Sequence, residues 1–139
     1  MDVRGSHLNT DVLAIVEKYE AFVHYLYPIL QCSPRQHGVL RDAVLELLLK
    51  QIGGLYHAAR SRQVSRLHAV DADFATLRAL LRLLAWGEIR ILSRKQHGVA
   101  LALLSEPGRM LGSWLKKLSS NSGASTSRSA ARPMGQTGE

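Results

Sequence analysis

Six histidines, one cysteine and a close pair of aspartates are the residues of this 139-residue chain best suited to catalysis or metal binding. Their spacing supports neither. A helical metal pair needs histidines four apart, and a zinc knuckle needs paired cysteines. No His-x-x-x-His or Cys-x-x-Cys occurs, and Cys32 stands alone. His37 and His97 are expected near helix starts in structural roles. Asp71 and Asp73 are two apart, so on a helix they point about 160 degrees away from each other. No phosphate-binding glycine loop or nucleophile elbow is present. The residues predict no enzyme, no metal and no cofactor.

Positive charge is what remains to be explained. Arg78, Arg82, Trp86 and Arg90 follow one another at steps of four. They sit along a segment, Ser65 to Trp86, whose other side is apolar through Leu67, Val70, Phe74, Leu77, Leu81 and Leu84. The formal net charge is +7, and it is unevenly placed. Up to Ala59, acids outnumber bases. Between Arg60 and Leu118, the cations Arg60, Arg62, Arg66, Arg78, Arg82, Arg90, Arg94, Lys95, Arg109, Lys116 and Lys117 face only Asp71, Asp73, Glu88 and Glu106. For any one arginine a solvated helix face is an equal reading, but a solvated face usually mixes signs. The set points to a polyanion, most often nucleic acid, or to an acidic protein. Trp86 could stack on a base or simply pack at a helix end. No helix-turn-helix spacing occurs, so contact with backbone or shape is expected rather than base readout.

Four helices must position these groups. The first is expected from Asn9 or Thr10, with an apolar face from Val12 to Leu30 and Pro28 thinning its last turn. Ser33-Pro34-Arg35-Gln36 reads as the capped start of a second helix, and Ser93-Arg94-Lys95-Gln96 as the capped start of a fourth; both are followed by His-Gly-Val. The second helix has core positions at Leu40, Val44, Leu47 and Leu48. Leu45, Leu49, Ile52 and Tyr56 carry its apolar arc further, which suggests burial on two sides and an interface with another subunit. Gly53-Gly54 weakens this helix by roughly 1 kcal/mol each relative to alanine, a cost that fits a close backbone approach or a bend. The third helix is expected to end near Gly87. In the fourth, Pro107 predicts a kink, and Gly108 with Gly112 a tight crossing.

The expected fold is all-α, an antiparallel up-down four-helix bundle spanning 9–118, preceded by a disordered stretch 1–8 and followed by a flexible Ser/Gly-rich tail 119–139. Hydrophobic residues at 46% and charged residues at 21% suit a chain with a real core. No apolar run is long enough to span a membrane, no secretory signal is recognisable, and a lone cysteine predicts a cytoplasmic setting.

Several stretches form an ordered set, of which the first and the last below are fairly specific and the leucine pattern between them is not. They are Tyr25-Leu26-Tyr27-Pro28, Ser33-Pro34-Arg35-Gln36-His37-Gly38-Val39, Gln63-Val64-Ser65-Arg66-Leu67, Leu77-Arg78, Leu81-Arg82 and Gly108-Arg109-Met110-Leu111-Gly112-Ser113-Trp114. In this order, over Val12 to Leu118, they resemble the accessory variability determinant (Avd) of diversity-generating retroelements, a branch of the four-helix family that includes ribosomal intervening-sequence proteins. The resemblance implies a homopentameric ring with a basic surface. It also implies binding to the element's reverse transcriptase and template RNA, in support of mutagenic cDNA synthesis and without chemistry of its own. Pro107 departs from the aliphatic residue usual there. Two other readings stay open: an intervening-sequence-type protein with no retroelement partner, and a structural oligomer whose basic face meets an acidic protein.

Overall fold

The computed structural model describes the backbone of residues 3–136 and the side chains of residues 12–120. It contains four helices, α1 (Val3–Gln31), α2 (Gly38–Ser61), α3 (Val64–Leu84) and α4 (Arg94–Gln136), with a 3-10 turn, Arg35–His37, between the first two. Among the described residues there is no strand. Each helix packs against two others: α1 against α2 and α4, and α3 against α2 and α4, with no backbone contact across either diagonal of the described bundle. Short connections and this adjacency give an antiparallel four-helix bundle. The helix start expected at Asn9 or Thr10 is not observed, because α1 already begins at Val3 and both residues lie inside it; the side chains of residues 1–11 and 121–139 lie outside the described set.

The core follows from the apolar periodicity. Val12, Ile15, Val16, Tyr19, Phe22, Val23, Leu26 and Leu30 line the inner side of α1, and Leu67, Val70, Phe74, Leu77, Leu81 and Leu84 that of α3. Tyr19 lies at the centre. Its ring stacks on Phe74 across the diagonal, with centroids 5.3 Å apart and planes 5° from parallel, and tilts against Phe22 at 5.7 Å. Its hydroxyl donates to the Leu48 carbonyl at 2.6 Å. Burial pushes the phenol well above its ordinary pKa, and the negative charge of Asp73 pushes it further.

Among the described residues, one polar side chain accompanies it inside. Gln51 is 1% exposed, and its Nε2 donates to the Leu47 carbonyl and to Asp73 Oδ2, both at 2.9 Å. Lys50 Nζ lies 3.8 Å from the same carboxylate oxygen. An amide left unbonded at that depth would cost about 1–3 kcal/mol, so Asp73 is what makes Gln51 tolerable there. Side chains from α1, α2 and α3 therefore meet in a small polar strap inside an otherwise apolar bundle.

The helix ends depart from expectation in instructive ways. At α4 the capping box forms: Gln96 N–H donates to Ser93 Oγ at 3.1 Å, and Ser93 N–H to Gln96 Oε1 at 2.9 Å. At the matching Ser33 it does not. The Ser33 hydroxyl donates back to the Leu30 carbonyl of α1 at 2.7 Å, Arg35–His37 closes as a 3-10 turn, and α2 starts only at Gly38 with no side-chain cap. Gly87 is likewise not the cap of α3. That helix ends at Leu84 with Ala85 following, and the left-handed residue of the connection is Arg90, at φ 46°. Arg62, at φ 56°, closes α2 in the same conformation, its N–H donating to the Ala58 carbonyl.

Both prolines expected to disturb helices sit inside continuous ones. Pro28 lies within α1, and the buried Pro107 within α4. Of the paired glycines, one in each pair makes the close approach. A Cβ on Gly54 would stand 3.2 Å from Val70 Cγ2 of α3, and one on Gly108 would stand 3.3 Å from Arg78 Nη2; Gly53 and Gly112 meet nothing within 4 Å.

Candidate nucleic-acid interface

The basic residues come from four places on the bundle. Arg60 and Arg62 close α2, and Arg66 opens α3. Arg78 and Arg82 stand one turn apart on the outer side of α3, because Leu77 and Leu81 beside them are fully buried. Arg90, Arg94 and Lys95 surround the α3–α4 connection, and Arg109, Lys116 and Lys117 lie further along α4. All eleven are exposed.

Few of them are neutralised. Three ion pairs occur among the described residues, Arg41–Asp42, Lys50–Asp73 and Arg109–Glu106, and only the last involves the basic set, at 2.6 Å. Arg66 is held by a neutral partner, its Nε donating to Gln63 Oε1 at 3.1 Å. Asp73 does not balance Arg78 or Arg82; its Oδ2 accepts from Gln51 and lies 3.8 Å from Lys50 Nζ, both on α2. Arg78 instead reaches across to α4, where the missing side chain of Gly108 leaves room for its guanidinium. Its charge stays on the surface.

The even stripe suggested by steps of four is interrupted. It holds for Arg78 and Arg82, but α3 stops at Leu84, so Trp86 and Arg90 belong to the connection. That connection is nonetheless ordered by the chain itself. The Trp86 carbonyl accepts from the Ile89 and Arg90 N–H groups, and Leu92 N–H donates to the Leu84 carbonyl. Ile91 and Leu92 are buried beneath it. Trp86 is 59% exposed, so it is not a packing residue at a helix end and presents its ring to solvent beside Arg90. At the start of α4 the positive helix end carries no acid in its first turn, only Arg94 and Lys95. The helix dipole there adds to the side-chain charge instead of offsetting it.

The apolar arc of α2 is a second surface. Leu45 and Ile52 are half-buried against the core, whereas Leu49 and Tyr56 are 46% and 42% exposed. Leu49 borders a groove of about 410 Å³ with Val23, His24, Tyr27 and Pro28 of α1.

Gln51 was missed by reading the apolar arc alone. The available signal was a lone amide in the run Leu47 to Leu55, at a position whose helical neighbours are buried. Among the described residues, no three His, Cys, Asp or Glu side chains converge as a metal site, and no helix is long and apolar enough to cross a membrane.

These features define an all-helical bundle with an exposed excess of cations. Residues 13–118 match the family described as bAvd-like, and the chain belongs to that family. The match spans almost all of the stretch over which the residue motifs resemble an Avd-type protein. No curated protein matches the chain.

Proposed function

We propose that this is a non-catalytic accessory protein of a diversity-generating retroelement, one that holds the element's reverse transcriptase and template RNA on its basic flank during mutagenic cDNA synthesis. Family membership supports the accessory role. The observation that carries the partner assignment is the exposed, largely unpaired set of cations from Arg60 to Lys117. Charges of one sign on a folded scaffold attract phosphate backbones with little regard for sequence. The apolar arc at Leu45, Leu49, Ile52 and Tyr56 supplies a contact for further copies, assembled in a pentameric ring, and a ring repeats each basic flank and sums their fields. The setting is cytoplasmic, where the exposed thiol of Cys32 stays reduced.

The test is charge reversal at Arg78 and Arg82. Both are exposed and neither is in an ion pair among the described residues, so Arg78→Glu with Arg82→Glu should leave helix content and oligomer size unchanged. Affinity for template RNA or for the polymerase should drop at least tenfold, which corresponds to about 1.4 kcal/mol. The dependence of log K on log salt for RNA should flatten by about two. Unchanged binding of both partners would refute the assignment.

A further inference from the structure

A cleft of about 340 Å³ lies between α2 and α3, and its walls are chemically uneven. Lys50 and Asp73 face each other at one end, 3.8 Å apart. The helices are antiparallel, so His57 and Arg66 stand together at the other end. Seven residues of α2 separate Lys50 from His57, roughly 10 Å at 1.5 Å per residue. Between them Gly54 lets α3 come close, while Gly53 beside it leaves bare backbone with nothing within 4 Å of where a side chain would begin.

The two ends ask for different groups on a ligand. At the inner end Gln51 spends its amide nitrogen on the Leu47 carbonyl and on Asp73 Oδ2. Gln51 itself is buried, so the group left to accept is the rest of the Asp73 carboxylate, and a ligand seated there must offer N–H groups, with only Lys50 to donate in return. At the outer end a guanidinium and an imidazole suit an anion. A nucleotide carries both groups about this far apart, a phosphate at one end and a base edge at the other. Guanine presents a ring N–H beside an amino group and can meet a carboxylate with both; uracil has no amino group.

We propose that the α2–α3 cleft is a pocket for one unpaired guanine nucleotide, with its phosphate on Arg66 and His57 and its base edge on Asp73. The proposal rests on the nucleic-acid reading above. It adds base discrimination to a protein whose other cations meet backbone alone. Gly53 is then a specificity feature: the residue whose missing side chain keeps the cleft open.

Calorimetric titration of the full chain with GMP, UMP and inorganic phosphate tests it. GMP should bind at least tenfold more tightly than UMP, and phosphate more weakly than either. Gly53→Gln places a good helix former in open space, so thermal stability should hold or rise while GMP binding is lost. Asp73→Asn, checked for folding by circular dichroism, should bring GMP and UMP to similar affinity. Equal binding of GMP and UMP to the unaltered protein, or GMP binding that survives Gly53→Gln, overturns the pocket. The wider reading fails separately. Tight GMP binding with no shift of structured RNA on a gel would keep the cleft and remove the basic flank as an RNA surface; RNA binding without GMP binding would do the reverse.

Discussion

The outer faces of α2 and α3 began as similar amphipathic patterns and end as opposites. On α2 the second stripe is apolar, and the protomer already half-covers it: Leu45 and Ile52 lean on the core while Leu49 and Tyr56 stay open. On α3 the second stripe is cationic, and it is exposed at Arg78 and at Arg82. The difference shows how one bundle can separate two tasks. An apolar stripe gains stability by leaving water, so it is suited to a permanent contact with a like surface. A cationic stripe loses hydration if buried, so it is suited to a partner that brings its own charge and leaves again.

Damage to the apolar face should have the largest effect. Leu49→Asp replaces an exposed residue, so the protomer should still fold, but an unpaired carboxylate cannot be buried between subunits. Light scattering behind a sizing column should give a multiple of 15.4 kDa for the unaltered chain and 15.4 kDa for the variant. A monomer in both cases would remove the contrast between the faces. The charge reversal at Arg78 and Arg82 comes next, because it should weaken partner binding tenfold without touching the assembly.

Arg90→Gly separates structure from charge within the basic face. Its left-handed backbone costs an arginine about 1–2 kcal/mol that glycine does not incur, although glycine gives back part of this through a more flexible unfolded chain. Thermal denaturation should therefore show unchanged or raised stability, while RNA affinity falls by a factor of a few. If affinity is unchanged, the arginine is held there for nothing the basic face uses.

The smallest effect belongs to the core between the two faces. Tyr19 has a phenol pKa raised by burial and by Asp73, so the neutral form favours the folded state. Its contribution is complete below the ordinary tyrosine value of 10.0 and is lost as pH rises above it. Tyr19→Phe should cost about 1 kcal/mol at neutral pH, through the lost bond to Leu48. It should also make stability fall less steeply above pH 10. A parallel decline of both proteins in that range would mean that the phenol does not control alkaline unfolding.

The helices were legible because their apolar spacing is regular, and α3 ends three residues before the expected Gly87. The ends were less legible, and the two Ser-x-x-Gln-His-Gly-Val segments explain why. At Ser93 the preceding chain is pinned by Ile91 and Leu92, and the left-handed Arg90 turns it so that the hydroxyl meets the Gln96 N–H. At Ser33 the preceding residues still finish α1, and its Leu30 carbonyl accepts both the Ser33 N–H and the Ser33 hydroxyl. The shared Ser and Gln at the same spacing therefore met different competitors, and Pro34-Arg35 stands where the other segment has Arg94-Lys95. The basic site was legible in its composition and in the pair Arg78 and Arg82. The reach of Arg78 over Gly108 was not, since it depends on which residue of α4 lies opposite. The Gln51–Asp73 bond was hidden for the same reason: it joins residues 22 apart in sequence.

Cys32, exposed just after the end of α1 and alone in the chain, offers a way to count. A thiol-reactive dye would mark each protomer once, with no engineered residue and no second site to confuse the signal. Single assemblies fixed to a surface would then go dark in discrete steps, one for each copy present. Five steps would bear out the proposed pentamer and one step would refute it, and the same label would report whether the number changes when RNA is added.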